Sequence, residues 1–369
     1  MSAADPGAAL RRTPLWSRHV EAGARMVPFA GFDMPVVYAS ILDEHRAVRT
    51  RAGVFDVSHM GEVRLRGPAT LELAQRLFTN DVAGSGLGRV RYGLFCIESG
   101  GVVDDVTLYR TGERELLFCV NASNIAADLA WMREVLALSG LDCEIVDESD
   151  ATGLLAVQGP EALAIVARLA PAGMKPPKRW HFAHAELAGI PVLLSRTGYT
   201  GEDGYEIFAA AERMVALWDA LREAGGDALA LAGLGARDTL RTEMAYPLYG
   251  HELDREHDPV EAGLERFVAF GRGFIGEPAL RRHEARGGPS RKLVGLVLEG
   301  RQVARPGFRI QTPDGDGVVT SGTFAPSIDG AIALGYVPAK FAAGANLHVE
   351  IRGKSVPCKV VSTPFYKRS

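Results

Sequence analysis

Two adjacent aspartates in GGVVDDVTLYR, residues 100–110, have side chains capable of acid–base chemistry. Successive side chains of a strand point to opposite faces, so Asp104 falls in a row of apolar residues and Asp105 in a mixed row with Thr107. An ionised carboxylate among valines needs a partner, which makes Asp105 the better candidate to face a polar ligand. The spacing alone slightly favours another interpretation, in which both carboxylates accept backbone N–H groups of the glycine turn.

A second acidic stretch is SRTGYTGEDGYEIF, residues 195–208. It lacks the lysine and the directly following helix of a phosphate-binding loop. The pair Asp203–Gly204 predicts a tight turn that leads into a strand. In that strand Tyr205 and Ile207 share one face and Glu206 lies on the other. Glu206 is therefore the carboxylate predicted to face a ligand, and the two acids before Gly204 are predicted to be turn residues.

The stretch FDVSHMGEV, residues 55–63, places a serine beside a histidine. Neighbouring side chains of a strand point apart, so Ser58 and His59 cannot form a local nucleophile–base pair. A structural or pocket-wall role is favoured. Met60 falls on the same face as Ser58 and is suited to pack against a flat ring.

Two arginines follow the glycines of GLGARDTLRTE, residues 233–243. Arg237 and Arg241 are four residues apart on a predicted helix and can project from the same side. Paired guanidinium groups suit a carboxylate or a phosphate. The alternative is that Asp238 and Glu243 neutralise them within the helix.

Composition limits the class of protein. The chain has 369 residues, of which 47% are hydrophobic and 23% charged, and a formal net charge of -4. These values are typical of a globular protein, and nothing in the charge favours nucleic acid. The sequence contains no run of about 18 apolar residues, so no membrane span is predicted. The N-terminus lacks the apolar core of a signal segment. The four cysteines are placed singly, which predicts buried reduced thiols. This cysteine pattern, the lack of a membrane span and the lack of a signal segment together indicate a cytoplasmic protein without a metal site.

The elements that must position these residues alternate without a regular βαβ rhythm, which predicts an α+β fold with antiparallel sheets. Helices are predicted at 40–51, at 121–138 with Ser123 as its cap, and at 211–224. The pattern changes near residue 286, where short alternating strands separated by turns predict a small all-β barrel or sandwich. We therefore expect one region over residues 1–285 and a β-barrel domain over residues 286–369.

Five stretches, in this order, resemble the T-protein family of the glycine cleavage system, whose members are tetrahydrofolate-dependent aminomethyltransferases. They are FDVSHMGE, GGVVDDVTLYR, RTGYTGEDGYEIF, GLGARDTLRTEMAYPLYGHEL and PVEAGL. The resemblance begins at residue 13 and continues to the C-terminal STPFYKRS, so it covers nearly the whole chain.

The resemblance implies a three-domain ring, in which two interleaved α+β domains precede a C-terminal β-barrel and folate occupies the central channel. It also implies a partner, the H-protein, whose lipoyl arm carries an aminomethyl group. The implied reaction transfers the one-carbon unit to tetrahydrofolate and yields 5,10-methylenetetrahydrofolate, ammonia and the dihydrolipoyl H-protein.

The resemblance also implies roles for particular residues. Asp105 would be the essential aspartate, which orients folate and assists proton transfer as ammonia leaves. Glu206 would bind the pterin, and Arg237 would face the folate. Three further residues would line the folate pocket: Met60, Tyr199 and Tyr366.

Two other functions share parts of this pattern. A folate-dependent demethylase of the same superfamily, such as one acting on dimethylsulfoniopropionate, would share the folate pocket and differ on the donor side. The stretches AGFDMP and FDVSHM favour the T-protein. A non-enzymatic folate-binding protein of iron–sulfur maturation would carry a K-G-C-Y-x-G-Q-E stretch, which is absent from the sequence.

Overall fold

The computed structural model describes residues 9–368, apart from the side chain of residue 284. Residues 1–8, on which the prediction of a missing signal segment partly depends, lie outside the described residues. The chain divides into two compact units. The described parts of unit 1 are residues 9–74, Val82–Tyr92 and Val106–Arg237, and those of unit 2 are Gln75–Asp81, Gly93–Asp105 and 238–368.

The three helices predicted from apolar periodicity are all present. Over residues 9–368 the α-helices are α1 (Trp16–Glu21), α2 (Ile41–Thr50), α3 (Thr70–Leu77), α4 (Ile125–Ser139), α5 (Ala162–Ala167), α6 (Met214–Gly225), α7 (Leu234–Glu243) and α8 (Glu277–Ala285). The Ser40 side chain caps α2 by accepting the Asp43 N–H at 3.1 Å. The predicted cap at Ser123 is wrong, because α4 begins after Asn124 and has no side-chain cap bond.

The strands form two larger sheets, a hairpin and a barrel. They are β1 (Arg25–Phe29), β2 (Phe32–Val37), β3 (Ala52–Asp56), β4 (Gly61–Arg66), β5 (Val90–Cys96), β6 (Val102–Gly112), β7 (Glu115–Val120), β8 (Glu144–Asp147), β9 (Thr152–Gln158), β10 (Phe182–Leu187), β11 (Ile190–Ser195), β12 (Gly204–Ala210), β13 (Leu229–Leu231), β14 (Arg291–Leu298), β15 (Arg309–Gln311), β16 (Gly317–Ala325), β17 (Gly330–Pro338), β18 (Asn346–Ile351) and β19 (Lys354–Val361). β1 pairs with β2, and a five-stranded sheet has the order β5-β6-β7-β4-β8.

Unit 1 is built on a six-stranded sheet of order β10-β11-β12-β9-β3-β13. Its neighbours pair antiparallel except β3 and β13, which are parallel. One face of the sheet packs against α5 and α6 through a buried apolar cluster that includes Val157, Tyr205, Ile207 and Trp218. Burial of such apolar surface is the main favourable contribution to folding. The predicted α+β class with antiparallel sheets is confirmed.

Unit 2 contains the C-terminal barrel. Strands β14-β17-β16-β15-β18-β19 close into a six-stranded barrel, whose interior is filled by alternate apolar side chains such as Leu296, Ile310 and Val349. Closure leaves no exposed sheet edge for pairing with other chains. The barrel predicted from the short alternating runs after residue 286 is thereby confirmed.

The four cysteines are free. Cys96, Cys119 and Cys358 are buried, as predicted, whereas Cys143, directly before β8, is half-buried. The prediction of a buried thiol is wrong at Cys143 because β8 is the edge strand of its sheet.

Candidate functional site

Glu206 has polar neighbours in unit 1. In β12 it pairs with Ser195 of β11 and with Ala156 of β9, while its neighbours Tyr205 and Ile207 point into the apolar cluster on the other face. The hydroxyl of Thr197 donates a hydrogen bond to Glu206 Oε2 at 2.5 Å. The alternation predicted from the sequence is confirmed, and it places the carboxylate outside the core.

The pKa of Glu206 is set by opposing effects. Burial raises it above the usual value, while the Thr197 hydrogen bond and the charge of Arg237 lower it without cancelling the effect of burial. The Thr197 hydroxyl and the Arg237 charge thus favour the ionised carboxylate, whereas burial favours its protonated form. Such a group can accept hydrogen bonds from two adjacent N–H groups of a flat heterocycle.

Arg237 is the neighbour whose charge acts on Glu206. It lies in the first turn of α7, and its guanidinium carbon is 4.6 Å from the centroid of the Tyr199 ring. The start of α7 is fixed by Glu44, whose carboxylate accepts the Gly233 N–H at 2.9 Å. A Cβ at Gly233 would meet the backbone of Val36 at 2.5 Å, so glycine is required for this close approach.

The glycine-rich stretch before β12 is a loop rather than a tight turn. β11 ends at Ser195 and β12 begins at Gly204, so the prediction of a short turn at Asp203–Gly204 is wrong. Asp203 forms an ion pair with Arg196 at 2.5 Å, and the buried Glu202 accepts from Arg49 at 2.9 Å. Both acids are therefore occupied in fixing the loop that carries Tyr199.

A cavity of about 200 Å³ opens beside the turn that contains Ser58, His59 and Met60. Ser58 and Met60 both line it, in agreement with their predicted common side. The remaining lining residues are Arg11, Arg12, Thr13, Pro14, Phe32, Ile125, Ser149, Asp150 and Thr152. Methionine in this wall offers a polarisable surface for a flat ligand.

A buried hydrogen-bond network holds the same turn. Asp56 Oδ1 accepts the Ser58 N–H at 2.9 Å, and Asp56 Oδ2 accepts from Thr13 at 2.6 Å and contacts His19 Nε2 at 2.8 Å. The Tyr38 hydroxyl lies 2.8 Å from His19 Nδ1. Burial raises the pKa of Asp56, but the bonds with His19, Ser58 and Thr13 outweigh it, so the pKa lies below its usual value. A satisfied buried network of this kind fixes one local conformation.

Asp105 belongs to unit 2 and is half-buried in β6, whereas Asp104 is fully buried. The predicted difference between their faces is confirmed. The glycine pair before them has a steric reason, because Gly100 has φ +97° and a Cβ at Gly101 would lie 1.9 Å from the Arg255 carbonyl oxygen. These glycines let the 254–258 segment pin the start of β6, where the Val102 N–H donates to the Asp254 carbonyl at 2.9 Å.

Tyr366, also in unit 2, is half-buried, and its N–H donates to the Glu243 carbonyl at 3.2 Å. Arg241 does not share the ligand-facing role predicted for an arginine pair. It is 2% exposed and its guanidinium donates to Asp238 and, at 2.9 Å, to Glu252. The alternative prediction, in which acidic side chains of the same helix neutralise the arginines, is thus confirmed for Arg241, which pairs with Asp238.

Sequence reasoning missed Glu62, because no local pattern marks its surroundings. It is 1% exposed, and neither carboxyl oxygen has a hydrogen-bond partner in the described part of the chain. Burial, followed by the charges of Asp147 and Glu148, raises its pKa well above the usual value. The folded chain therefore holds the Glu62 proton to a higher pH than the unfolded chain does.

Replacing Glu62 by glutamine is expected to stabilise the protein increasingly as pH rises above about 4.3, the ordinary glutamate pKa. Above that pH the unfolded chain loses the Glu62 proton while the folded chain keeps it, so wild-type stability falls with rising pH until the folded pKa is passed. Denaturant midpoints of both proteins at pH 4 and pH 8 measure the effect. The exposed Glu98→Gln variant is the control, and an equal gain for both variants would contradict this account.

Within residues 9–368, no group of three or more His, Cys, Asp or Glu side chains is arranged to hold a metal ion. No helix in this range combines the length and apolar character needed to cross a bilayer. The Glu206–Arg237–Tyr199 cluster and the cavity beside Met60 are the candidate ligand-binding features of unit 1.

Comparison with known proteins gives the same family over both parts of the chain. Residues 15–272 match the GCVT N-terminal domain, and residues 291–367 match the glycine cleavage T-protein C-terminal barrel domain. Aminomethyltransferases of Symbiobacterium thermophilum and Rubrobacter xylanophilus are each 48% identical to this chain. Each alignment covers 97% of this chain; it covers 98% of the Symbiobacterium protein and 95% of the Rubrobacter protein. The crystal structure of glycine cleavage system aminomethyltransferase T from Bartonella henselae is 34% identical, with a TM-score of 0.89, and covers 97% of this chain and 98% of that one. The chain belongs to the glycine cleavage T-protein family of aminomethyltransferases.

Proposed function

We propose that this chain transfers the one-carbon unit of an aminomethyl group from the lipoyl arm of H-protein to tetrahydrofolate. The observation that carries the substrate assignment is the grouping of Glu206, Arg237 and Tyr199 in one site of unit 1. A carboxylate, a guanidinium and an aromatic face together suit a flat heterocycle with adjacent N–H groups and a carboxylated tail.

In the proposed reaction, the folate nitrogens N5 and N10 both form bonds to the methylene carbon of the S–CH2–NH2 group. The carbon–nitrogen and carbon–sulfur bonds of the donor break, and the two folate N–H protons end on ammonia and on the dihydrolipoyl thiol. No electrons are exchanged with an external oxidant. The chain's contribution is therefore to orient the two substrates and to assist proton transfer.

We assign Glu206 as the residue that binds the pterin N–H groups. We assign Arg237 as a residue that faces the folate and neutralises negative charge next to Glu206. Met60 and Tyr199 supply apolar surface for the folate, and Tyr366 is a further lining residue. Asp105 orients folate and assists the proton transfer that accompanies ammonia release. Support for Glu206 comes from its polar strand face, its hydrogen bond from Thr197 and its proximity to the Arg237 charge.

Mixing aminomethyl-loaded H-protein with tetrahydrofolate and this protein tests the reaction. Ammonia and 5,10-methylenetetrahydrofolate are expected to form in equal amounts, and both products are measured. Omission of tetrahydrofolate serves as the control and should leave only the background rate of ammonia release. Absence of release, together with demethylation of dimethylsulfoniopropionate, would overturn the aminomethyl assignment in favour of a demethylase.

Glu206→Gln is expected to weaken tetrahydrofolate binding about 10- to 100-fold, because a charge-assisted hydrogen-bond pair is removed. Wild-type affinity should also fall in acid, starting above the ordinary glutamate range because burial raises the Glu206 pKa. Calorimetric titration of both proteins from pH 5 to pH 8 measures this, and their difference cancels the titration of folate itself. A parallel pH dependence in the two proteins would remove Glu206 from the ligand contact.

Three broader assignments accompany this proposal. H-protein is the partner that delivers the aminomethyl group, and tetrahydrofolate is a substrate rather than a resident cofactor. We also propose a cytoplasmic location. The division of the chain into a folate-binding region at residues 1–285 and a barrel domain at residues 286–369 stays a prediction.

A further inference from the structure

His59 is a buried polar residue that the proposed mechanism does not use. Its side chain is 2% exposed, and Nδ1 has no hydrogen-bond partner among the described residues. A buried nitrogen without a partner loses its hydrogen bond to water on folding and gains nothing in exchange. Native proteins rarely leave such a group unused, and its presence calls for a specific explanation.

The surroundings of His59 fix its ring in one orientation. The rings of Phe29 and Phe32 contact it edge-to-face, with centroid distances of 5.5 Å and 6.4 Å. The preceding residue, Ser58, is held by Asp56, and the Met60 N–H donates to the Val57 carbonyl at 3.0 Å. The ring is therefore preorganised by packing and by the turn, and not by a bond to Nδ1.

The residues on either side of the same ring, Ser58 and Met60, line the cavity of unit 1. The charge of Arg237 acts on His59 and on Glu206, so the imidazole and the carboxylate share one cationic neighbour. Burial is the main effect that lowers the pKa of His59 to about 4, and Arg237 lowers it further against the opposing charge of Asp56. The imidazole is thus neutral at physiological pH, with one ring nitrogen as a donor and the other as an acceptor.

We propose that His59 is a positioning residue for the substrate, and that its Nδ1 forms a hydrogen bond with the folate held by Glu206 and Arg237. This inference rests on the proposed function. It accounts for three observations: an unpartnered buried nitrogen, a ring locked by Phe29 and Phe32, and its location in the turn whose other residues line the open cavity. Binding of the ligand then supplies the partner that the folded chain lacks.

Substitution of His59 by phenylalanine tests this role in the full-length protein, because phenylalanine keeps the edge-to-face packing and removes the nitrogens. We expect the Kd for tetrahydrofolate to rise about tenfold. The kcat at saturating folate should stay within about twofold of wild type, because a hydrogen bond made equally in the bound substrate and in the transition state affects KM and leaves kcat unchanged. His59→Gln, which restores a hydrogen-bonding group, should recover part of the affinity.

The matched control is Trp218→Phe, which also removes a buried nitrogen without a partner, Nε1, from the apolar cluster of unit 1. It should leave the Kd for tetrahydrofolate unchanged. An unchanged Kd in His59→Phe, or an equal loss of affinity in both variants, would overturn the inference. Failure of the wild type to bind tetrahydrofolate would instead contradict the proposed function.

A second measurement avoids substitution altogether. In protein labelled with ¹⁵N-histidine, the Nδ1 resonance of His59, assigned by its loss in His59→Gln, should shift when tetrahydrofolate is added. An unchanged resonance at saturating tetrahydrofolate would overturn the inference even if His59→Phe failed to fold.

Discussion

Replacing Asp105 by asparagine is expected to lower kcat for ammonia release by about 10²- to 10⁴-fold, the usual range for loss of a positioned acid–base group. Aspartate and asparagine side chains are isosteric, and Asp105 is half-buried on the face of β6 that carries both polar and apolar residues. The fold should therefore be retained. Steady-state rates with aminomethyl-loaded H-protein, together with thermal unfolding of each protein, measure the two effects separately. Turnover equal to wild type would remove Asp105 from the mechanism.

Asp104→Asn is the matched control for this experiment. Asp104 is fully buried on the opposite, apolar face of the same strand. Its substitution should lower stability while the folded protein turns over at close to the wild-type rate. The reverse pattern, with turnover abolished in Asp104→Asn and kept in Asp105→Asn, would show that the wrong carboxylate has been assigned.

The second large effect concerns stability. Arg241→Met is expected to destabilise the protein by about 3–5 kcal/mol, the usual cost of removing one partner of a buried ion pair. The fully buried Glu252 would lose its charged partner, and the hydroxyl of Ser321 would lose its donor at 2.8 Å. Denaturant unfolding at neutral pH measures the loss of stability. A change below about 1 kcal/mol would contradict the structural role assigned to Arg241.

Two further variants identify the cause of that loss. Arg241→Met combined with Glu252→Gln should recover part of the stability, because the uncompensated buried charge is removed. Arg301→Ala breaks an ion pair with Asp329 whose side chains are 72% and 79% exposed. Exposed pairs contribute roughly 0–1 kcal/mol, so this variant should stay close to wild type.

The outcome for the two arginines shows where sequence reasoning stops. Spacing in α7 places Arg237 and Arg241 on related sides of a helix, and this suggested a common role. Arg241 instead meets Glu252 and Ser321, which are 11 and 80 residues further along the chain. Arg237 contacts Tyr199 of the glycine-rich loop. Which arginine is available to a ligand depends on these distant partners, and periodicity carries no information about them.

The loop before β12 gives a second example. Turn chemistry at Asp203–Gly204 predicted a short connection, because such pairs are frequent in hairpins. The loop is longer, and Arg196 and Arg49 hold its residues Asp203 and Glu202 through ion pairs. Local propensity was overridden here by contacts between residues that are up to 153 positions apart.

By itself, the sequence determined the strand faces of Asp105 and Glu206, the main helices, the strands of the C-terminal barrel and the family. These follow from periodicity and from motifs, which are properties of short stretches. The tertiary structure alone decided that Arg241 is structural, that Glu62 is buried without a hydrogen-bond partner among the described residues and that His59 Nδ1 is likewise unpaired there. Burial and hydrogen bonding depend on groups brought together by folding from distant parts of the chain, so no local pattern encodes them.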